Sequence, residues 1–320
     1  MVDGCRIRRD INHRGREPQR MRVYFLVTST RDCEKIWRSL EFLGQHEIVV
    51  EKYDDRPHER HRELVTKAKG LRPDAIIMMG AIELYHRKPV PKIDILAELN
   101  KIAPLIHIVS DAGDRFWWPF LEQYDQAGCF SVQVGIDGVN ISPITKCKNG
   151  IVLLTPVDPR PYRPRIWSDR RVTCGMAGNR SFAARAQAIE MLLTTGNFSF
   201  FDAAHKRSYR EMAAFLSRCR LVFNHPMTGS GHGEHVKGRV LEAAWAKSCL
   251  LEKIGSPITS WFPKNHYKSY KDPLEAVDII SWFNSHPEAG EDIALRLHSA
   301  VNDNHSPQQF WGRVFTVAGL

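Results

Sequence analysis

Short apolar runs alternate with amphipathic segments along the chain from residue 21 onward. Residues 22–28 (RVYFLVT) read as a buried strand and 33–43 as a helix closed by Gly44. Further strands are predicted at 46–52, 74–80, 104–110 and 129–134, separated by helices at 58–69 (ending at Gly70), 92–102 and 116–126. Strands spaced by helices of this length need crossover connections, which predicts a parallel, doubly wound sheet. A second alternation follows, with strands at 171–177, 198–203, 221–225 and 248–252 and helices at 182–193, 209–217 and 238–247. Residues 273–320 read as mainly helical and close the chain.

Between the two alternations, residues 155–165 (TPVDPRPYRPR) hold Pro156, Pro159, Pro161 and Pro164. Proline lacks the amide hydrogen that a helix interior or central strand requires, so this stretch is expected to link two domains. The chain of 320 residues also exceeds what one core usually serves. The expected division is a flexible basic extension over 1–20, an N-terminal Rossmann-like acceptor domain over 21–154, a linker over 155–168 and a C-terminal Rossmann-like donor domain over 169–320. Two such units create a central cleft, and open α/β sheets bind ligands beyond the carboxyl ends of their strands.

Composition narrows the class. The seven cysteines are scattered and form no CxxC pair, so they read as reduced thiols. No apolar run is long enough to span a bilayer, and the opening MVDGCRIRRD is charged where a signal peptide would be apolar. A cytoplasmic protein is therefore expected, with peripheral membrane contact left open. The formal charge of +9 suits an anionic partner such as a nucleotide diphosphate, an acidic glycan, a membrane surface or nucleic acid. Part of that excess lies in Arg6, Arg8, Arg9, Arg14, Arg16, Arg20 and Arg22. No GxGxxG follows the first strand and no GxxxxGK[ST] occurs, which disfavours dehydrogenase and P-loop chemistry.

The most informative stretch is 223–251, where a strand runs into a glycine-rich loop (Gly231, Gly233, Gly238) and then a helix. Glu234 and Glu242 are eight positions apart, which on one continuous helix would separate them by roughly 12 Å along the axis, too far to share a small ligand. The glycines instead place Glu234 on the loop and Glu242 in the first helical turns. Backbone N–H groups at such a helix start, with Lys237 and Arg239 beside them, suit a diphosphate. Spacing alone fits a solvated surface helix equally well.

Residues 237–254 (KGRVLEAAWAKSCLLEKI) resemble the donor-site signature of the glycosyl transferases group 1 superfamily, in particular its spore-maturation-protein-like branch. The resemblance extends over about 171–314 and implies two Rossmann-like domains of the GT-B type. It implies that Glu242 binds the ribose hydroxyls of a nucleotide-sugar and that Glu234 lies near the transferred sugar. Family members carry glycine in the element before the following strand, where this chain has Ala246, Lys247 and Ser248, and that departure bears on the tightness of the turn. Residues 175–185 (GMAGNRSFAAR) resemble the family's strand, glycine and basic residues that meet the donor pyrophosphate, a role that falls to Arg180 and Arg185.

In the first half, Asp111 and Asp114 follow a buried strand. A carboxylate there suits either an acceptor hydroxyl or a helix cap; capping is the reading for Asp114, and Asp111 stays open as a catalytic candidate beside Glu234. Trp117 and Trp118 read as core and rim aromatics. His232, Glu234 and His235 lack a matching third or fourth ligand, and His58 and His61 fall on a charged helix, so no metal is expected.

The expected activity is transfer of a sugar from a nucleoside-diphosphate sugar, such as a UDP-sugar, to an unidentified hydroxyl of a glycan, lipid, protein or nucleic acid. The donor is a co-substrate and no cofactor is expected; retention of configuration is implied by the resemblance. The alternatives are a GT-B transferase acting on nucleic acid and a non-catalytic module that binds a nucleotide-sugar or polyanion.

Overall fold

The computed structural model describes residues 20–28, 32–80, 89–139, 143–180, 183–203, 208–228 and 233–320. The first sheet comprises β1 (Arg22–Val27), β2 (Glu47–Lys52), β3 (Ala75–Met79), β4 (Leu105–Val109), β5 (Val132–Gly135) and β6 (Gly150–Val152), in the order β2-β1-β3-β4-β5-β6. The second comprises β7 (Val172–Gly178), β8 (Phe198–Asp202), β9 (Cys219–Phe223), β10 (Cys249–Lys253) and β11 (Lys268–Tyr270), in the order β11-β10-β9-β7-β8. Every neighbouring pair of strands is parallel. This is the α/β architecture expected of a GT-B protein: two doubly wound sheets. Two short edge strands, β6 and β11, escaped the sequence reading because three residues carry too little periodicity.

Burial on both faces explains why the central strands read as continuous apolar runs. β3 and β4 are buried at every position. Successive side chains point to opposite faces, so Val23, Phe25 and Val27 enter one core cluster while Tyr24 and Leu26 enter another. In the second sheet, Cys249 and Leu251 of β10 face one cluster and Leu250 the other.

The helices of the first half are α1 (Asp32–Glu41), α2 (Arg62–Leu71), α3 (Ile93–Ile102) and α4 (Trp118–Gln126). Gly70 does not stop α2: the helix runs to Leu71, and Arg72 takes the left-handed conformation at its end (φ 49°). The second half carries α5 (Ala183–Leu193), α6 (Tyr209–Leu216), α7 (Arg239–Trp245), α8 (Pro273–Ser285), α9 (Glu291–Asn304) and α10 (Pro307–Ala318). Ser208 and Glu211 form a capping box that starts α6, and Asp272 with Pro273 starts α8. No helix among the described residues is long and apolar enough to cross a membrane.

Two features depart from a simple division at residue 169. The last helix, α10, returns to the first sheet, where Phe310, Trp311, Val314 and Phe315 join the cluster of Val23, Phe25 and Ile36. Trp311 packs edge-on to Phe25 at 6.1 Å and donates from Nε1 to Ser39 Oγ at 2.9 Å. The proline stretch, expected as a linker, is a packed strap. Val157, Tyr162 and Trp167 are buried; the Tyr209 hydroxyl donates to the Asp158 carbonyl at 2.9 Å, and Arg160 pairs with Glu41 at 2.7 Å. The prolines keep the strap out of both sheets without leaving it loose.

The turn between α7 and β10 uses Lys247 in the left-handed region (φ 49°). Ser248 closes the turn from inside, its hydroxyl donating to the Cys219 carbonyl at 2.9 Å. A left-handed conformation costs an L-residue about 1–2 kcal/mol, offset for glycine by a larger loss of chain entropy. Lys247→Gly is therefore expected to stabilise the protein by up to about 1 kcal/mol in urea unfolding. Trp311→Ala, which empties a fully buried site, is expected to cost about 3–5 kcal/mol in the same measurement, although residue 311 lies far in sequence from the sheet it stabilises.

Candidate donor and acceptor site between the two sheets

Parallel strands send all their carboxyl ends to one edge, and ligands bind where neighbouring crossovers diverge. In the second sheet that point lies between β7 and β9, where the chain continues into Asn179 and Asn224. Asn224 is fully buried and works in two directions: Oδ1 accepts from Arg239 at 3.2 Å, and Nδ2 donates to Glu252 at 2.7 Å. Arg239 also donates to the Ala177 carbonyl at the end of β7. A Cβ at Gly178 would stand 2.9 Å from this guanidinium and displace it from its present position.

The loop after β9 doubles back on itself. Met227 and Glu234 form an antiparallel bridge, Thr228 N–H donates to the Gly233 carbonyl at 2.7 Å, and Gly233 N–H donates to Thr228 Oγ1 at 3.2 Å. Gly231 and His232 lie outside the described residues. Glu234 therefore sits on the loop, paired with Lys253 from the end of β10 at 2.6 Å, while Glu242 sits in the first turn of α7. Arg185 of α5 reaches the same region, donating to Asn179 Oδ1 at 3.3 Å and to the Met227 carbonyl at 3.4 Å. His225 lies among these charges; burial, then the cations Arg185 and Lys253, lower it to about 4 and keep it neutral.

The first sheet contributes carboxylates from the ends of β4 and β5. Asp111 occupies the left-handed region (φ 57°), and its Oδ1 lies 3.2 Å from His235 Nδ1 and 3.9 Å from Lys237 Nζ. Asp137 is buried, accepts from Gly113 N–H at 2.7 Å and lies 3.7 Å from the same His235 nitrogen. Backbone contacts complete the junction: Val236 N–H donates to the Asp137 carbonyl at 2.8 Å, and Trp261 Nε1 to the Gly138 carbonyl at 2.8 Å. Burial lowers the Lys237 ammonium to about 8, with Arg185 and Arg239 adding to the effect and Asp111 opposing it.

The fold thus brings Glu234, Gly233, Lys237, Arg239 and Arg185 of the second half together with Asp111 of the first, whereas Glu242 pairs with Lys35 of α1. Arg180 stands apart, exposed, paired with Glu190 and lying over the Phe200 ring at 4.9 Å. Asp114 caps the short turn at Arg115–Trp117 by accepting from Phe116 N–H, while Trp117 is buried. His235 lies against Asp111, and among the described residues no group of three or more His, Cys, Asp and Glu side chains is arranged to hold a metal ion. Lys35, Asn224, His225, Asp137, Glu252 and Lys253 went unnoticed in the sequence. The strand-end positions of the last five were the signal that could have found them.

Residues 180–315 match the family described as glycosyl transferase-like. No curated protein matches the sequence. The solved structure of Anabaena HepE in complex with UDP-glucose is 12% identical, with a TM-score of 0.62 over 94% of this chain and 100% of that one. An α-glucosyltransferase in complex with UDP and a 13-mer DNA is 10% identical, with a TM-score of 0.60 over 94% and 100%. Sucrose-phosphate synthase from Thermosynechococcus elongatus is 8% identical, with a TM-score of 0.61 over 94% and 98%. The chain has the two-sheet architecture of these GT-B structures, and most of its second half is similar to the glycosyl transferase-like family.

Below the site, Glu252 is fully buried, and burial raises its carboxyl to about 7 against the hydrogen bond from Asn224. An acid whose pKa is higher in the folded state binds more protons there, so stability falls as pH rises from the ordinary carboxyl range through 7. Glu252→Gln is expected to raise the melting temperature more at pH 8 than at pH 5, measured by calorimetry at both values.

Proposed function

We propose that this protein transfers a sugar from a nucleoside-diphosphate sugar, with UDP as the nucleotide, to a hydroxyl acceptor. The observation that carries the proposal is the gathering of Arg185, Lys237 and Lys253 around Glu234 at the carboxyl ends of the second sheet, facing Asp111 across the junction. Arg239 is tied to the Ala177 carbonyl and Asn224 and shapes the strand end. The helix α7 is only seven residues long, so side-chain cations rather than a helix dipole are the natural holders of a diphosphate.

Charge builds on the leaving diphosphate as the glycosidic bond breaks, and fixed cations in a partly dry site stabilise it. Glu242 takes the ribose and Glu234 the transferred sugar, as the family resemblance implies, and Asp111 orients the acceptor hydroxyl. Burial of the junction keeps water from the donor. The proposed reaction retains anomeric configuration, as the family resemblance implies, and uses side-chain cations rather than a metal or other cofactor to hold the charge. A nucleic-acid acceptor is the second reading, favoured by the chain's charge of +9 and by a neighbour of the same fold solved with UDP and DNA.

The sign of the pH dependence follows from Lys237. Its ammonium, lowered to about 8, loses charge as pH rises through that value, so the site loses one cation. UDP affinity by calorimetry is expected to fall between pH 7 and pH 9. Lys237→Arg, whose guanidinium stays charged, should flatten that fall, and Glu242→Ala should weaken binding at pH 7 by about tenfold or more. A wild-type protein that binds neither UDP nor UDP-glucose would overturn the proposal.

A further inference from the structure

Glu242 is withdrawn from water, its side chain only 3% exposed, and its charge is met from the opposite half of the chain. Lys35 of α1 donates from Nζ to Glu242 Oε1 at 3.0 Å. The backbone of Lys35 is tied in turn to the strap, its carbonyl accepting from Asp158 N–H at 3.3 Å. Gly238, at the start of α7, leaves room for the ammonium where it stands: a Cβ there would lie 2.8 Å from Lys35 Nζ and displace it. The ammonium engages Oε1, and Oε2 accepts no hydrogen bond among the described residues.

A buried carboxylate needs a compensating cation, and removing that cation is strongly destabilising. Ribose hydroxyls are neutral donors, so they can hydrogen-bond to the carboxylate but cannot supply the charge. We propose that Lys35 is the positioning residue for Glu242: it neutralises and orients the carboxylate through Oε1 and leaves Oε2 to accept from a ribose hydroxyl. This inference rests on the donor reading given above. Nucleotide recognition by the second sheet then depends on a residue of the first, so that the two halves read the ribose only when they are in register.

Calorimetric titration with UDP and 2′-deoxy-UDP tests the inference, because the ratio of the two affinities reports the ribose contact and not overall stability. Wild-type protein is expected to prefer UDP by about tenfold, the loss typical of one hydrogen bond to a charged group. Glu242→Gln should bring the ratio towards one, and Lys35→Met should do the same. Gly238→Ala, which crowds the ammonium without removing its charge, is the second variant and should lower the ratio in the same direction. If Glu242→Gln collapses the preference while Lys35→Met and Gly238→Ala preserve it, Lys35 is not the positioning residue and the donor reading stands. If the wild type binds neither nucleotide, or shows no preference that Glu242→Gln removes, the ribose role of Glu242 fails and the inference falls with it.

Discussion

Charged groups withdrawn from water between two sheets have to neutralise one another, and the centre of this protein is organised around that requirement. Asp111 comes from the first sheet and Lys237 meets it from the second, with Asp137 and the His235 ring packed beside them. Glu242 comes from the second half and Lys35 meets it from the first. Each group alone would carry a desolvation cost of several kcal/mol, which its partner offsets only if both halves hold their positions. The junction is thus tied by complementary charge and by direct backbone contact, with the proline strap packed alongside.

Parallel topology sets up the encounter. Because every strand in both sheets runs the same way as its neighbours, all the loops that leave the carboxyl ends emerge on one edge of each sheet. Asp111, Asp137, Asn224 and Lys253 lie at or just beyond such ends, so residues distant in sequence share one small volume. The returning helix α10 reinforces this arrangement from the far end of the chain: by burying Trp311 on the first sheet, it ties the end of the second half to the first.

Within that volume the polar groups divide by task. Arg239 and Asn224 are committed to the backbone and to Glu252, and they hold the ends of β7 and β9 in place. Lys237, Lys253 and Arg185 surround the loop that carries Glu234, and their mutual repulsion is relieved by the carboxylates facing them. His225, buried among cations, stays neutral and adds no further charge. An anion entering here would meet a preorganised set of donors whose geometry is held by groups it does not touch.

Much of the fold was legible in the chain because buried parallel strands leave continuous apolar runs and their crossover helices leave amphipathic ones. The position of Glu234 on a loop and Glu242 in a helix followed from the glycines between them, and the cap at Asp114 from the chemistry of aspartate after a strand. The three-residue strands were too short to show a period, and the strap's prolines revealed only that it lies outside both sheets. Arg180 and Arg185 looked alike in sequence, yet one turns outward to Glu190 and the other inward to Asn179 and Met227, a choice made by packing around α5. The pairing of Lys35 with Glu242, 207 positions apart, and of Asp111 with His235 could be decided only by the tertiary structure, because local sequence carries no record of which strand ends two separate sheets will bring face to face.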